Sequence, residues 1–137
     1  MIKIQEKPII IQELIDNVKT PNSGAVVTFS GTVRDHDESI KSGIIALYYE
    51  AYNEMALAKI DEIARDAIQK YSIIKVAVIQ RTGRVNLGED SIGIAVSAEH
   101  RQDAFKACNY IIDKIKIIPP IWKKEIYAGG ESWKSET

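Results

Sequence analysis

Cysteine occurs once in the 137 residues, at Cys108, and that scarcity removes whole classes of chemistry. No internal disulfide can form and no multi-cysteine metal site can be assembled; a lone thiol suits a reducing compartment and a packing role, and with no metal-ligand cluster in the sequence neither a metal nor a cofactor is expected. A surplus of either charge is also missing: 18 basic against 19 acidic residues leave a net charge of −1, which argues against a general nucleic-acid binder while permitting a local cationic pocket. No apolar run approaches the roughly 20 residues that cross a bilayer, and Met1 to Gln5 alternates polar and apolar residues where a signal peptide would be apolar. The expected location is therefore cytoplasmic, with no membrane partner. Internal repeats and low-complexity tracts are absent, and linker-like stretches are short. What remains is an ordinary globular composition, 45% hydrophobic and 27% charged, long enough for one domain over residues 1–137 with one core.

Periodicity predicts an α+β sandwich, a mixed and mostly antiparallel sheet of more than three strands with three helices packed on one side. Met1 to Gln5 suits a strand. Ile10, Ile11, Leu14, Ile15 and Val18 recur at helical spacing until Pro21 and Asn22 break the pattern. Gly24 to Arg34 reads as a half-buried strand bent at Gly31, followed by a polar loop, Asp35 to Ser42, expected to move. Ile44 to Tyr52 reads as a strand and Asn53 to Tyr71 as a helix with Ile60, Ile63, Ala64, Ala67, Ile68 and Tyr71 on one face. Strands over Ile73 to Arg81 and Ser91 to Ala98 flank a turn-rich Gly83 to Asp90 segment. A helix from Arg101 to Ile118 carries Cys108, Ile111, Ile112 and Ile115 on its inner stripe, and a last strand runs from Trp122 to Tyr127.

The densest chemical constellation follows that helix: Lys116, Pro119, Pro120, Ile121, Trp122, Lys123, Lys124 and Glu125. Proline fixes φ and restricts the residue before it, so the double proline ends the helix and holds Lys123 at a nearly constant separation from Lys116. The same residues also fit a packed helix stop followed by an edge strand. His100 and Arg101 fall where a strand gives way to a helix, a place whose unpaired N–H groups favour an anion; they form either a phosphate pocket or a solvated pair. Arg34, ending a Gly-bearing strand, supplies a second cationic wall to that pocket. Lysine, with a reference pKa of about 10.4, is a poor base at neutral pH, but crowding Lys116 and Lys123 with Arg34 and Arg101 favours the neutral amine of one, leaving the other to stabilise an oxyanion. Glu125, two residues beyond Lys123, shares its strand face and either orients that lysine or makes a surface ion pair. Phe29, Met55 and Ile121 are apolar walls or core.

These blocks together resemble the large, catalytic subunit of molybdopterin synthase over nearly the whole length. The resemblance rests on Gly24 through Arg34 (GAVVTFSGTVR), on Tyr49-Glu50-Ala51-Tyr52 with Met55, and on Arg81-Thr82-Gly83 with Gly88-Glu89. It continues through His100-Arg101 with Ala104-Phe105, then Lys116 and Pro120 through Glu125, and ends at Gly130 with Trp133. It implies an α/β hammerhead fold and a sulfurtransferase step of molybdenum cofactor biosynthesis. In that step cyclic pyranopterin monophosphate receives two sulfurs from the C-terminal Gly-Gly thiocarboxylate of a small ubiquitin-like subunit, within a heterotetramer built on a homodimer of the large one. By the same resemblance Arg34, His100 and Arg101 hold the pterin phosphate, Thr32 and Val33 line the approach, Lys116 and Lys123 do the chemistry, and Lys124 and Glu125 assist. Gln80 departs from the histidine that many relatives carry before Arg-x-Gly, so no imidazole role transfers there, and the longer basic C-terminal tail of many relatives is unmatched. Gly129-Gly130 is not the donor, since seven residues follow it. Phe29 to Arg34 also faintly resembles the anion loop of small acylphosphatases, and a phosphate-sensing or adaptor dimer without turnover is the non-enzymatic alternative.

Overall fold

Both central strands of the main sheet are apolar on both faces, and this decides the architecture. A computed structural model of the chain describes residues 1–36, 43–128 and 130–134, the last five by backbone alone. In chain order the elements are β1 (Ile2–Gln5), α1 (Ile11–Val18), β2 (Ala25–Thr32), β3 (Ile44–Ala51), α2 (Asn53–Tyr71), β4 (Ile73–Arg81), β5 (Gly83–Asn86), β6 (Asp90–Ala98), α3 (Arg101–Ile115), β7 (Ile121–Tyr127) and β8 (Gly130–Lys134). They form two four-stranded sheets, ordered β1-β4-β6-β2 and β5-β3-β7-β8. Among the described residues only β1 and β4 pair in parallel; the other pairings are antiparallel. The α+β class with three helices is as expected. The elements divide into two sheets where one was expected.

The expectation of helices on one side is overturned. Val76 and Val78 of β4 and Ile94 and Val96 of β6 pack with α2 and α3 in the main core. Their neighbours Ala77, Ile79 and Ala95 face the other way and meet Leu14 and Val18 of α1. A strand covered on both faces is a near-continuous hydrophobic run, and Ser91 to Ala98 is buried throughout. The residues on the α1 side are mostly small, which lets a short helix sit close.

Two strands escape the pattern reading. β5 lies inside the turn-rich segment, alternating buried and exposed residues over four positions, and pairs with β3 from Ala46 to Tyr49. β8 pairs with β7, with Lys134 opposite Lys123. The bend at Gly31 is real: the β2–β6 register slips between Gly31 and Thr32. Helix α3 stops three residues short of Ile118, because Ile118 precedes a proline and is pushed from helical geometry; the N–H groups of Ile117 and Ile118 both fall back onto the Lys114 carbonyl, at 3.1 and 2.9 Å. The expected mobile loop lies from residue 37 to 42 outside the described residues, as does Gly129.

Candidate functional site

The lysine-bearing segment is pinned at each end by burial. Ile115 and Ile121 belong to one core cluster with Phe29, Tyr49 and Ala51 packed against it, so Lys116 is one residue, and Lys123 two, from anchors in the same core. Lys116 is the C-cap of α3, exposed, with its N–H on the Ile112 carbonyl. Pro119 is fully buried and its carbonyl accepts the Ile121 N–H at 2.9 Å, while the Pro120 carbonyl accepts the Tyr52 N–H at 3.2 Å. Trp122 meets the edge of Tyr52 with ring centroids 5.7 Å apart. A segment without two of its amide donors, tied to the start of α2, has little freedom. The backbone between the two lysines is anchored by burial and hydrogen bonds.

β7 then sorts its side chains by the two-residue period of a strand. Lys123 shares a face with Ile121 and Glu125, which are 3% and 4% exposed, and with Tyr127, whose hydroxyl donates to Glu125 Oε1 at 2.9 Å. Glu125 is thus a buried carboxylate and the surface ion pair is excluded. Lys124 lies on the opposite face over the Tyr48 ring, 5.4 Å from its centroid. Tyr127 was not among the expected site residues, although the same period extended from Lys123 and Glu125 leads to it.

Val33 is buried with Ile44, Leu47 and Val85, and Tyr49 and Tyr127 pack against that cluster. Leu47 and Tyr49 stand opposite Glu125 and Lys123 in the sheet. Val33 is therefore core, not a wall of the approach, while Thr32 and Arg34 beside it are exposed. Of the apolar candidates, Ile121 is core, Phe29 packs on the core and Met55 is 57% exposed. Helix α3 runs back along β2 and β6, so Lys116 at its C-terminus lies toward the end of β2 that Arg34 follows, and Lys123 with Glu125 continues β7 from the buried Ile121.

His100 and Arg101 are at the other end. They open α3, both exposed, with no side-chain cap, beside Gly24, where a Cβ would strike the Glu99 carbonyl oxygen. From Arg101 to Lys116 a helix rises about 22 Å at 1.5 Å per residue. Along β2, Ala25 stands opposite Ala98 and Thr32 opposite Asp90, so roughly 23 Å of strand lies between the end of the sheet next to His100 and the end that leads to Arg34. Side chains radiate from a helix axis and do not run along it, so length of reach does not close this gap. One cleft holding both lysines and His100 is not formed within a single chain.

Elsewhere, Gln80 is buried and donates to the carbonyls of Arg81 and Ser91 at 2.9 and 3.2 Å, a framework role in place of an imidazole. A recess of about 210 Å³ lined by Pro8, Ile9, Arg81, Gly88, Glu89 and Asp90 gathers none of the expected site residues. Burial pushes the Cys108 thiol up to about 11, which keeps it protonated and unreactive. Among the described residues no cluster of His, Cys, Asp and Glu could hold a metal ion, and no helix is long and apolar enough to cross a membrane.

Comparison with known proteins bears on the fold and the family. The family model described as MoaE protein matches residues 4–117. A molybdopterin synthase catalytic subunit from Thermoplasma volcanium is 48% identical over 133 residues, covering 96% of each chain; against plant relatives the match spans 63% of their length. A molybdopterin synthase crystal structure from Staphylococcus aureus superposes with a TM-score of 0.89 at 36% identity, covering 96% of this chain and 95% of that one. A complex of subunits 1 and 2 of the molybdopterin-converting factor from Helicobacter pylori shares the fold, with a TM-score of 0.80 at 20% identity, covering 98% of this chain and 90% of that one. By the extent of these matches and by the fold they share, this chain belongs to the MoaE family.

Proposed function

We propose that the chain is the catalytic subunit of a cytoplasmic molybdopterin synthase. It moves sulfur from the C-terminal thiocarboxylate of a small ubiquitin-like partner onto cyclic pyranopterin monophosphate, twice per product. The observation that carries this reading is the restrained Lys116 to Lys123 segment, found in a chain whose family match runs from residue 4 through Lys116 to residue 117. Two lysines borne on one restrained backbone segment suit a reaction in which one amine contacts the reacting carbon and the other stabilises negative charge. An outside sulfur donor is required, since the single thiol is buried and held protonated. The Helicobacter pylori complex, built of two different subunits, is the kind of assembly that would deliver one.

The length of α3 adds a condition. If His100 and Arg101 hold the pterin phosphate near the lysines, they come from a second copy of the chain: Lys116, Lys123 and Arg34 of one protomer face the partner's His100 and the partner's Arg101. A homodimer then has two equivalent composite sites, and with one small subunit at each it becomes a heterotetramer. The family match favours neither the acylphosphatase-like nor the adaptor reading.

The test is reconstitution. Purified protein mixed with thiocarboxylated small subunit and the cyclic pterin is expected to yield the dithiolene product, and Lys116→Ala, at an exposed position, is expected to abolish turnover without changing the thermal midpoint. Binding of the pterin with no sulfur transfer by the wild type would favour the sensor reading instead.

A further inference from the structure

The Arg81-Thr82-Gly83 and Gly88-Glu89 blocks have no part in the chemistry above, yet they meet at one place. Three steps of the chain lead from one sheet to the other at this place: β2 to β3, β4 to β5, and β5 to β6. Arg81 ends β4, Glu89 lies in the β5–β6 turn and Val33 follows β2. Arg81 is 8% exposed; its Nε donates to the Glu6 carbonyl at 3.1 Å and its Nη1 to Glu89 Oε1 at 3.3 Å. The same Glu89 oxygen accepts the Asn86 N–H at 2.8 Å, and the Glu89 N–H returns to the Asn86 carbonyl at 2.9 Å. The turn is thus closed by backbone and side chain together, around Gly88 at φ +82. Its outer side grips the end of β2 by a reciprocal pair of bonds: Val33 N–H to the Glu89 carbonyl at 3.0 Å, and Gly88 N–H to the Val33 carbonyl at 2.8 Å. On the far side of Arg34, the Asp35 carbonyl accepts from Gly43 and Ile44 at 3.0 and 3.1 Å.

We propose that Arg81 and Glu89 are positioning residues for Arg34: their ion pair fixes the Asn86–Glu89 turn, the turn clasps Val33, and the clasp sets where the neighbouring guanidinium stands. This rests on the reading of Arg34 as a ligand of the pterin phosphate. A phosphate contact tolerates little displacement of a forked donor. A latch holding three crossovers serves that end better than one holding a loop alone.

The experiment is a steady-state assay of the reconstituted complex with cyclic pyranopterin monophosphate varied. Glu89→Ala is expected to raise the pterin KM roughly tenfold with kcat nearly unchanged. The double variant Arg34→Ala/Glu89→Ala is expected to match Arg34→Ala alone, because a displaced residue that is already gone has nothing left to lose. A purely structural role predicts the opposite, effects on KM that multiply. Either that outcome or an unchanged KM in Glu89→Ala overturns the proposal. Should Glu89→Ala not fold, Gly88→Ala strains the same clasp through its positive φ and is judged by the same criteria. If wild type itself makes no product, the functional reading fails and takes this inference with it; if wild type turns over and the variants behave additively, only the inference fails.

Discussion

Removing the Tyr127 hydroxyl gives the sharpest view of how the lysine strand is held. Glu125 is 4% exposed, and its carboxylate accepts the Tyr127 hydroxyl at 2.9 Å. A hydrogen bond to a buried charged group contributes about 1.5–3 kcal/mol, since its loss exposes the charge to an uncompensated desolvation cost. Tyr127→Phe keeps the ring and its packing and deletes only the donor. For a chain of this size that loss corresponds to a fall in the thermal midpoint of roughly 5–10 °C. Urea unfolding of wild type, Tyr127→Phe, Glu125→Gln and the double variant forms a double-mutant cycle. In the Glu125→Gln background, where no charge remains to satisfy, Tyr127→Phe is expected to cost about 1 kcal/mol or less. A Tyr127→Phe protein within about 0.5 kcal/mol of wild type, or equal costs in both backgrounds, would refute the reasoning by showing that water already solvates the carboxylate.

Two further outcomes follow from proton affinities. With its thiol raised from 9.0 to about 11, Cys108 of the folded protein should react with a thiol reagent at pH 8 at least ~100-fold more slowly than the unfolded chain, and comparable rates would contradict its burial. For Glu89, the Asn86 N–H foremost, then the Arg81 guanidinium, holds the carboxyl below its ordinary 4.5. The unfolded chain therefore binds the more protons in acid, and the stability Glu89 contributes is present above about 4.5 and lost as pH falls through the folded value. The urea midpoint of Glu89→Gln should fall less steeply below pH 4.5 than that of wild type, and parallel curves would contradict the sign.

Much of the fold was legible because burial imposes periods. The faces of α2 and α3 and the ends of β4 were open to reading, since each long element repeats its apolar spacing several times. β5 has only four residues and lies between glycines, so its alternation is too brief to separate from a turn. The opposite placement of α1 was harder: Ala77, Gly93 and Ala95 are small, and small residues signal close approach without saying by what. The candidate site was legible as residue types and local stiffness, from Lys116 through the prolines to Glu125. It was not legible as an arrangement. That His100 precedes and Lys116 lies in the last turn of one helix was visible in the sequence, and its rise alone separates them; reading both as parts of one pocket overlooked that a helix is a rigid spacer.

Whether a working site draws on two copies is tested most directly by complementation. Lys116→Ala and Arg101→Ala, each inactive alone, are co-expressed so that protomers associate at random. About half of the dimers are then mixed, and each mixed dimer carries one site with both defects and one with neither, so activity of roughly a quarter of wild type is expected. Activity no greater than the sum of the two parents would contradict a site shared between protomers.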